Sequence, residues 1–456
     1  MTTRQTVVVL GAGPAGLAAA IRLSQAGYAV TLLEERDRLG GAMVAQSPDG
    51  DLLDALPPIV FGHQTATLRL LRELGTARLT QLRTPGHIEF RQRGHGTKRL
   101  RYLWLPAPLH SILGLAASRG LTIRDLWRAL VFLEQTWENN PALPLDLEAR
   151  RADQWLSEIR QSEGAQVNVW APLARFLLNS ELSGVSAGML VDVLTRSFLT
   201  RRADSRIGIA NHSWDQLFLN PAQAWLHKHH VTVCKGTRFE HFTMRHNRIN
   251  GIRLEDRRTV TADWYVAATP PRRLSALLPE PVITHYATFH QLSKLSDAAG
   301  LTVHVWFKTR LSTPRLLLLV GHTFHWLVVR HADQAIVVTL VATGRADLLH
   351  HTDEALGEFA LTDVHTAIPD LTGVPALRTH VIRRERACLV TRPGATAFRP
   401  VTASPIPNLL LAGGWTDTGL PDSIESAVVS ADRCAALLTT GRIGTRKEGL
   451  GSWPES

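Results

Sequence analysis

The opening of the chain alternates between apolar runs and glycine turns. Val7, Val8, Val9 and Leu10 form an unbroken apolar run, which predicts a strand covered on both faces. Gly11-Ala12-Gly13-Pro14-Ala15-Gly16 interrupts it, and Leu17 to Gly27 then shows helical spacing of apolar positions. A second apolar strand, residues 28–33, ends at Glu34. Near the other terminus, Asn408 to Ala412 reads as an apolar strand opening into Gly413-Gly414. From Ser423 the pattern is helical again, with Ile424, Ala427, Val428, Ala431 and Ala435 at three- and four-residue intervals. Asp422 or Ser423 would cap that helix, with Glu425 and Ser426 in its first turn.

Between these ends, residues 231–268 alternate around a central turn, which predicts strands and a hairpin. Residues 301–308, 324–330 and 335–342 read as strands of a second sheet, and Asp353 to Ala367 as a helix. There is no internal repeat.

Strand, glycine turn, helix, strand and acid, in that order, predict a dinucleotide-binding βαβ unit. Gly11 would permit the tight turn, Gly13 the approach of a pyrophosphate, and Gly16 close helix–strand packing. The helix that follows would turn its unpaired N–H groups and positive dipole end to the phosphates. Glu34 is placed to accept ribose hydroxyls, and its charge would repel the 2′-phosphate of NADP. The terminal helix would likewise present its N-terminal N–H groups to negative charge on a bound ligand.

Composition narrows the class without choosing the chemistry. The 456 residues are 45% hydrophobic and 20% charged, an ordinary globular balance that excludes a disordered regulator, a fibre or a coiled coil. Cys234, Cys388 and Cys434 lack metal-ligand spacing, so reduced thiols and a cytoplasmic setting are expected. The net charge of +10 comes without zinc-finger spacing or a recognition helix, so no nucleic-acid partner is expected. The first apolar run leads directly into a glycine turn and reads as a strand, not a secretory signal. No run reaches the length of a membrane span, so any membrane contact would be peripheral. His227, His229 and His230 read as a solvated turn, and His350, His351 and Asp353 as a surface loop. No metal site is predicted, and no Ser-His-Asp set or catalytic cysteine is readable.

Two segments carry a family resemblance. Glu34-Glu35-Arg36-Asp37-Arg38-Leu39-Gly40-Gly41 resembles the flavoprotein extension in which a second glycine pair passes near the pyrophosphate. Residues 413–428, GGWTDTGLPDSIESAV, resemble the terminal segment GDWTDTG-x-PAT-x-EGAV of the squalene-associated FAD-dependent desaturases, the hydroxysqualene dehydroxylase group. That group lies within the amine oxidase and phytoene desaturase superfamily. Trp415, Thr416, Asp417, Thr418, Gly419, Pro421, Glu425, Ala427 and Val428 match position by position. Residues 61–75, 171–199, 220–239 and 262–271 look like further segments of the family.

The resemblance implies an α/β fold: a Rossmann-like FAD-binding domain with an inserted α+β substrate domain. Residues 1–80, 214–272 and 395–446 would form the first, 81–213 and 273–394 the second, and 447–456 a loosely held tail. It implies FAD held by Gly11, Gly13, Pro14, Ala15, Gly16, Glu34, Glu35, Arg36, Gly40, Gly41, Ala42, Arg238, Gly413, Gly414, Ser423 and Ile424. His63 and Asp417 would contribute polar contacts in the pocket, and Trp415 would pack on the isoalloxazine or border the substrate channel. The implied reaction is reductive dehydroxylation of hydroxysqualene to squalene, with a carotenoid or phytoene-type desaturase, or a non-catalytic partner subunit of an isoprenoid enzyme, as alternatives. The implied partners are a hydrophobic isoprenoid and other enzymes of squalene synthesis.

Three positions depart from the family pattern. The usual G-G-R is Gly40-Gly41-Ala42, which removes an arginine expected by the flavin phosphates or ring edge. The usual G-D is Gly413-Gly414, which removes a carboxylate expected by the ribityl or pyrophosphate region. Of the usual D-N-G-Q-H only Asp54 remains, in Asp54-Ala55-Leu56-Pro57-Pro58.

Residues 96–137 are distinctive. Lys98, Arg99 and Arg101 precede Tyr102, Leu103, Trp104 and Leu105, and proline-broken apolar turns follow. Aromatic anchors with a basic rim suit peripheral contact with an anionic membrane on its inner face, or the mouth of a hydrocarbon channel.

Overall fold

Five strands taken from distant stretches of the chain form one parallel sheet, in the order Leu409–Leu411, Trp264–Ala267, Thr6–Leu10, Ala29–Leu33, Thr232–Cys234. The computed structural model describes residues 4–47, 50, 52–82, 87–94, 96–101, 103–117, 121–129, 145–311, 315–332 and 335–441. Tyr102, residues 130–144 and residues 442–456, the tail included, lie outside the described residues.

The first strand is central and buried from Val7 to Leu10, as its unbroken apolar run requires. Helix Pro14–Gln25 covers one face and packs against helix Ile424–Thr440. Small residues on both, Ala18 and Ala19 against Ala427 and Ala431, belong to the same core and permit close approach. The other face is covered by the hairpin Phe239–Arg245 and Arg248–Leu254, with Phe242 and Tyr265 in its core. Its turn residues, His246 and Asn247, have φ of 48° and 56°, the left-handed pair that matches strand twist in a two-residue hairpin.

The second sheet has seven strands, in the order Ala376–Leu389, Asp297–Phe307, Ala335–Thr343, Trp326–Ala332, Arg315–Val320, His87–Gln92, Thr97–Arg101. Three of these follow the apolar runs. The strands at both edges escape that pattern because they are arginine-rich, a common way to protect an exposed edge. Lys98 and Arg99 therefore lie on an edge strand. Helix Asp353–Ala367 covers one side of this sheet. Helices from residues 109–198 pack at its other end, around Trp155, Trp170 and Leu190.

Asp54 ties the second sheet to the Trp214 segment. Its carboxylate accepts from Trp214 N at 2.8 Å and pairs with Arg330 Nη1 at 3.0 Å. Its carbonyl accepts from His304 Nε2 at 2.9 Å. Burial pushes the Asp54 carboxyl up, and Arg330 opposes that shift.

Candidate functional site

The two glycine turns meet. Gly40 N donates to Ala12 O at 2.9 Å, and a Cβ on Gly41 would stand 3.0 Å from Gly13 Cα. Gly11, at φ +93°, permits the turn. Gly16 has no alternative, since a Cβ there would lie 1.7 Å from Gly11 O. Gly13 differs: a Cβ would approach only Gly41 Cα, at 3.9 Å. The helix it precedes begins at Pro14 and Ala15 and has no side-chain cap. This bare backbone cradle before an uncapped helix fits a pyrophosphate.

Glu34 is buried at the side of the cradle. Oε2 accepts from Ala12 N at 2.7 Å and Oε1 from Arg36 N at 3.0 Å. Each carboxylate oxygen keeps a lone pair that a ribose hydroxyl could use. Glu35 is engaged elsewhere, in an ion pair with Arg273. Arg36 Nη1 reaches Gly41 O at 3.4 Å. Arg238 is solvent-exposed, 3.8 Å from Glu255, and makes no contact with the glycine turns among the described contacts.

The terminal segment closes on the same sheet edge. Ala412 N donates to Ala267 O at 3.0 Å, beside Ala268, whose carbonyl packs on Gly11. Trp415 is turned into the core: its indole N–H donates to Thr269 O at 3.1 Å, and the ring covers Gly413. Asp417 Oδ1 accepts from Gly419 N at 3.3 Å, a turn-forming contact. Ser423 caps the terminal helix, accepting from Ser426 N at 3.1 Å, and Ile424 is its first residue.

Arg399 is the residue that sequence reasoning missed. Its buried guanidinium donates to Gly414 O at 2.6 Å, Thr416 O at 2.7 Å, Leu420 O at 2.6 Å and Trp415 O at 3.4 Å. The Trp415–Gly419 turn is thus wrapped around one side chain. Burial lowers the Arg399 pKa, while Asp422 and Asp417 oppose the shift. Its only trace in the sequence is a lone arginine after Phe398.

His63 lines a 440 Å³ cavity with Thr65, Arg196, Asp204, Thr418, Ser423 and other residues. Burial drives its pKa down to about 4, against the pull of Asp204, so the ring is neutral near pH 7. Asp417 and Trp415 do not line this cavity.

A second cavity, of 110 Å³, lies among the helices within residues 109–198. Its walls are apolar, including Ile112, Leu115, Trp155, Trp170 and Phe198, with Ser111 and Thr195 the polar exceptions. Helix Ala187–Phe198 contributes to both cavities, Val193 and Arg196 to one and Leu190, Val191 and Leu194 to the other. The segments that wall the apolar cavity also carry exposed apolar side chains. Leu109 and Leu113 lie beside Ile112, and Ile123 (90% exposed) and Trp127 (67%) beside Leu126. Trp104 is 81% exposed, with the Arg202 guanidinium 3.8 Å from its ring centroid. No helix among the described residues is long and apolar enough to cross a membrane, and no metal-binding cluster of His, Cys, Asp or Glu occurs among them.

Comparison with known proteins agrees with this geometry. The family model for flavin containing amine oxidoreductase matches residues 14–439. The chain is 24% identical to the zeta-carotene desaturase of Synechocystis sp., with 95% of this chain and 96% of that protein covered. It is 23% identical to the 15-cis-phytoene desaturase of Synechococcus elongatus, with 95% of each covered. Among solved structures, it resembles an oxidoreductase from Methanosarcina mazei (TM-score 0.72, 14% identity, 94% of this chain and all of that one). It also resembles the cyclohexylamine oxidase of Brevibacterium oxydans (TM-score 0.66, 19% identity, 96% and 99% covered).

Proposed function

Since the chain belongs to the flavin containing amine oxidoreductase family, whose fold and paired glycine turns it carries, we propose that it is an FAD-dependent desaturase of a long isoprenoid. The carrying observation is the apolar lining of the helices at residues 109–198, whose 110 Å³ cavity has room for one end of such a chain. Its leucine, isoleucine and tryptophan walls offer an ammonium group neither a carboxylate nor a carbonyl cage, whereas a hydrocarbon needs only a dry surface. The likeness to zeta-carotene and phytoene desaturases along nearly the whole chain supports the same substrate class. These relatives favour desaturation over the dehydroxylation expected first.

FAD, when bound, would supply the oxidant, taking both electrons with one hydrogen while the hydrogen on the adjacent carbon leaves as a proton to solvent and the double bond forms. The protein's own part is to bind and orient. Gly11, Gly13 and Gly16 with the uncapped helix would hold the pyrophosphate, Glu34 the ribose, and Gly40, Gly41 and Ala42 the second side of the cradle. Gly413, Gly414, Ser423 and Ile424 would face the flavin end. His63 would be a neutral polar contact. Trp415 and Asp417 would act as positioning residues that fix the terminal turn. The segment assignment follows: 1–80, 214–272 and 395–446 for the cofactor, 81–213 and 273–394 for the substrate.

Trp104, Leu109, Leu113, Ile123 and Trp127, with Arg202, would seat the protein on an anionic membrane surface from which an insoluble hydrocarbon is drawn. Dehydroxylation of hydroxysqualene is the second reading, favoured by the Trp415–Gly419 segment.

The test is a visible spectrum of purified protein, then anaerobic incubation in anionic vesicles. One sample is oxidised and given phytoene or zeta-carotene, and the other is reduced and given hydroxysqualene. Flavin bleaching with a more unsaturated product supports desaturation, and flavin reoxidation with squalene supports the second reading. A colourless protein that takes up no added FAD overturns both and leaves the partner-subunit alternative.

A further inference from the structure

Resting on the FAD reading of this site, we infer that Arg384 and Asp422 are cofactor-contacting residues that supply, from new positions, the cation missing at Ala42 and the carboxylate missing at Gly414. The terminal segment it resembles reads G-D where this chain has Gly413-Gly414, and P-A where it has Pro421-Asp422. The structure brings these two differences to one place. Asp422 Oδ1 lies 1.9 Å from the point a Cβ on Gly414 would occupy. The carboxylate at 422 therefore fills the space of a side chain at 414, and the two exclude each other.

The lost arginine is matched in the same way. Arg384 Nη1 donates to Ala42 O at 2.9 Å, so a guanidinium sits on the residue that should have carried one. A single strand reaches both turns. Ala376–Leu389 carries Arg384 at the second glycine turn and, five residues on, Leu389, whose N–H donates to Asp422 Oδ2 at 2.8 Å. Gly300 on the paired strand makes room for this end, since a Cβ there would stand 2.5 Å from Ala387 Cβ and 3.7 Å from Arg384 Nη2.

Burial pushes the Asp422 carboxyl up and the Arg384 guanidinium down, and the charges of Arg399 and Arg384 oppose the shift at Asp422. A guanidinium and a carboxyl that one strand brings to the two glycine turns match a ligand bearing both anionic and hydroxyl groups. The guanidinium would donate to the flavin phosphates or ring edge, and the carboxylate would accept from a ribityl hydroxyl. Moving both groups, in place of losing them, explains how the turns can depart from the family pattern and still bind the cofactor.

The test is FAD titration of the apoprotein by flavin fluorescence, with thermal denaturation of each apoprotein alongside. Asp422→Asn keeps an acceptor for Leu389 N and removes the ionisable carboxyl. It and Arg384→Gln are each expected to weaken FAD about tenfold while the apoprotein melts like wild type. Gly414→Asp alone, which collides with Asp422, is expected to lose FAD. The double variant G414D/D422A is expected to recover affinity to within about threefold of wild type, since it restores the same charge at the same place. Wild-type affinity in Asp422→Asn and Arg384→Gln, or no recovery in the double variant, overturns the inference and leaves the FAD reading standing. A wild-type protein that takes up no FAD overturns both, and that arm is read first.

Discussion

Glu425 caps a helix to which it does not belong. Its carboxylate accepts from Thr67 N at 2.8 Å, Thr67 Oγ1 at 2.7 Å and Ala66 N at 2.9 Å. Helix Thr65–Glu73 has no cap of its own, since Gln64 at its N-cap makes no capping bond and its Oε1 accepts from Phe61 N instead, at 3.1 Å. The first turn of the terminal helix thus holds the start of the second, and with it the His63 segment. Glu425→Ala would leave three buried donors unpaired and destabilise the protein by about 2–4 kcal/mol. Glu425→Gln, which keeps one acceptor, would lose less. Urea denaturation of both variants checks the order.

Arg399 is expected to matter more. Removing a buried guanidinium that satisfies four carbonyls leaves those groups desolvated, a loss of about 3–5 kcal/mol. Arg399→Lys would recover only part, because an ammonium cannot span the same fork. Denaturation midpoints, with flavin content per chain, are the readout, and both should fall together.

Acid should destabilise the protein well above the carboxylate range. Burial depresses the pKa of His63 and His325 to about 4, and of His304 to about 3. The unfolded chain takes up protons near pH 6.5. The stability these neutral rings contribute is therefore complete above about pH 6.5 and declines as pH falls toward their folded values. The buried carboxyl of Asp54, shifted up, acts in the opposite sense at the low end. His304→Gln should flatten the limb between pH 6.5 and 4, as measured by unfolding free energy against pH.

The exposed apolar side chains at 104, 123 and 127 give a prediction free of folding effects. Ile123→Ser with Trp127→Ser should reduce binding to anionic vesicles by about tenfold or more, given about 1.5–3 kcal/mol for each buried side chain. The melting temperature should hold, because neither residue packs in the core. Sedimentation with vesicles, at low and high salt, provides the measurement.

Much of the cofactor side could be read from local pattern. Strand Thr6–Leu10, the glycine turn, helix Pro14–Gln25 and Glu34 follow one another in the chain, so spacing and residue type suffice to define them. Helix Asp353–Ala367 and the terminal helix from Ile424 were legible for the same reason. The arginine-rich strand Ala376–Leu389 was not, because an edge strand lacks the apolar alternation that periodicity detects.

The sequence by itself determined the βαβ unit, the second glycine turn and the capped terminal helix, because each is fixed by residues within a few positions of one another. The tertiary structure alone decided which distant groups share a place. Arg399 inside the Trp415–Gly419 turn, Glu425 on Thr67, and Asp422 in the space of a side chain at 414 are all contacts of packing. Backbone propensity acts over a turn or two, whereas a buried charge is paired by whatever the folded chain brings to it.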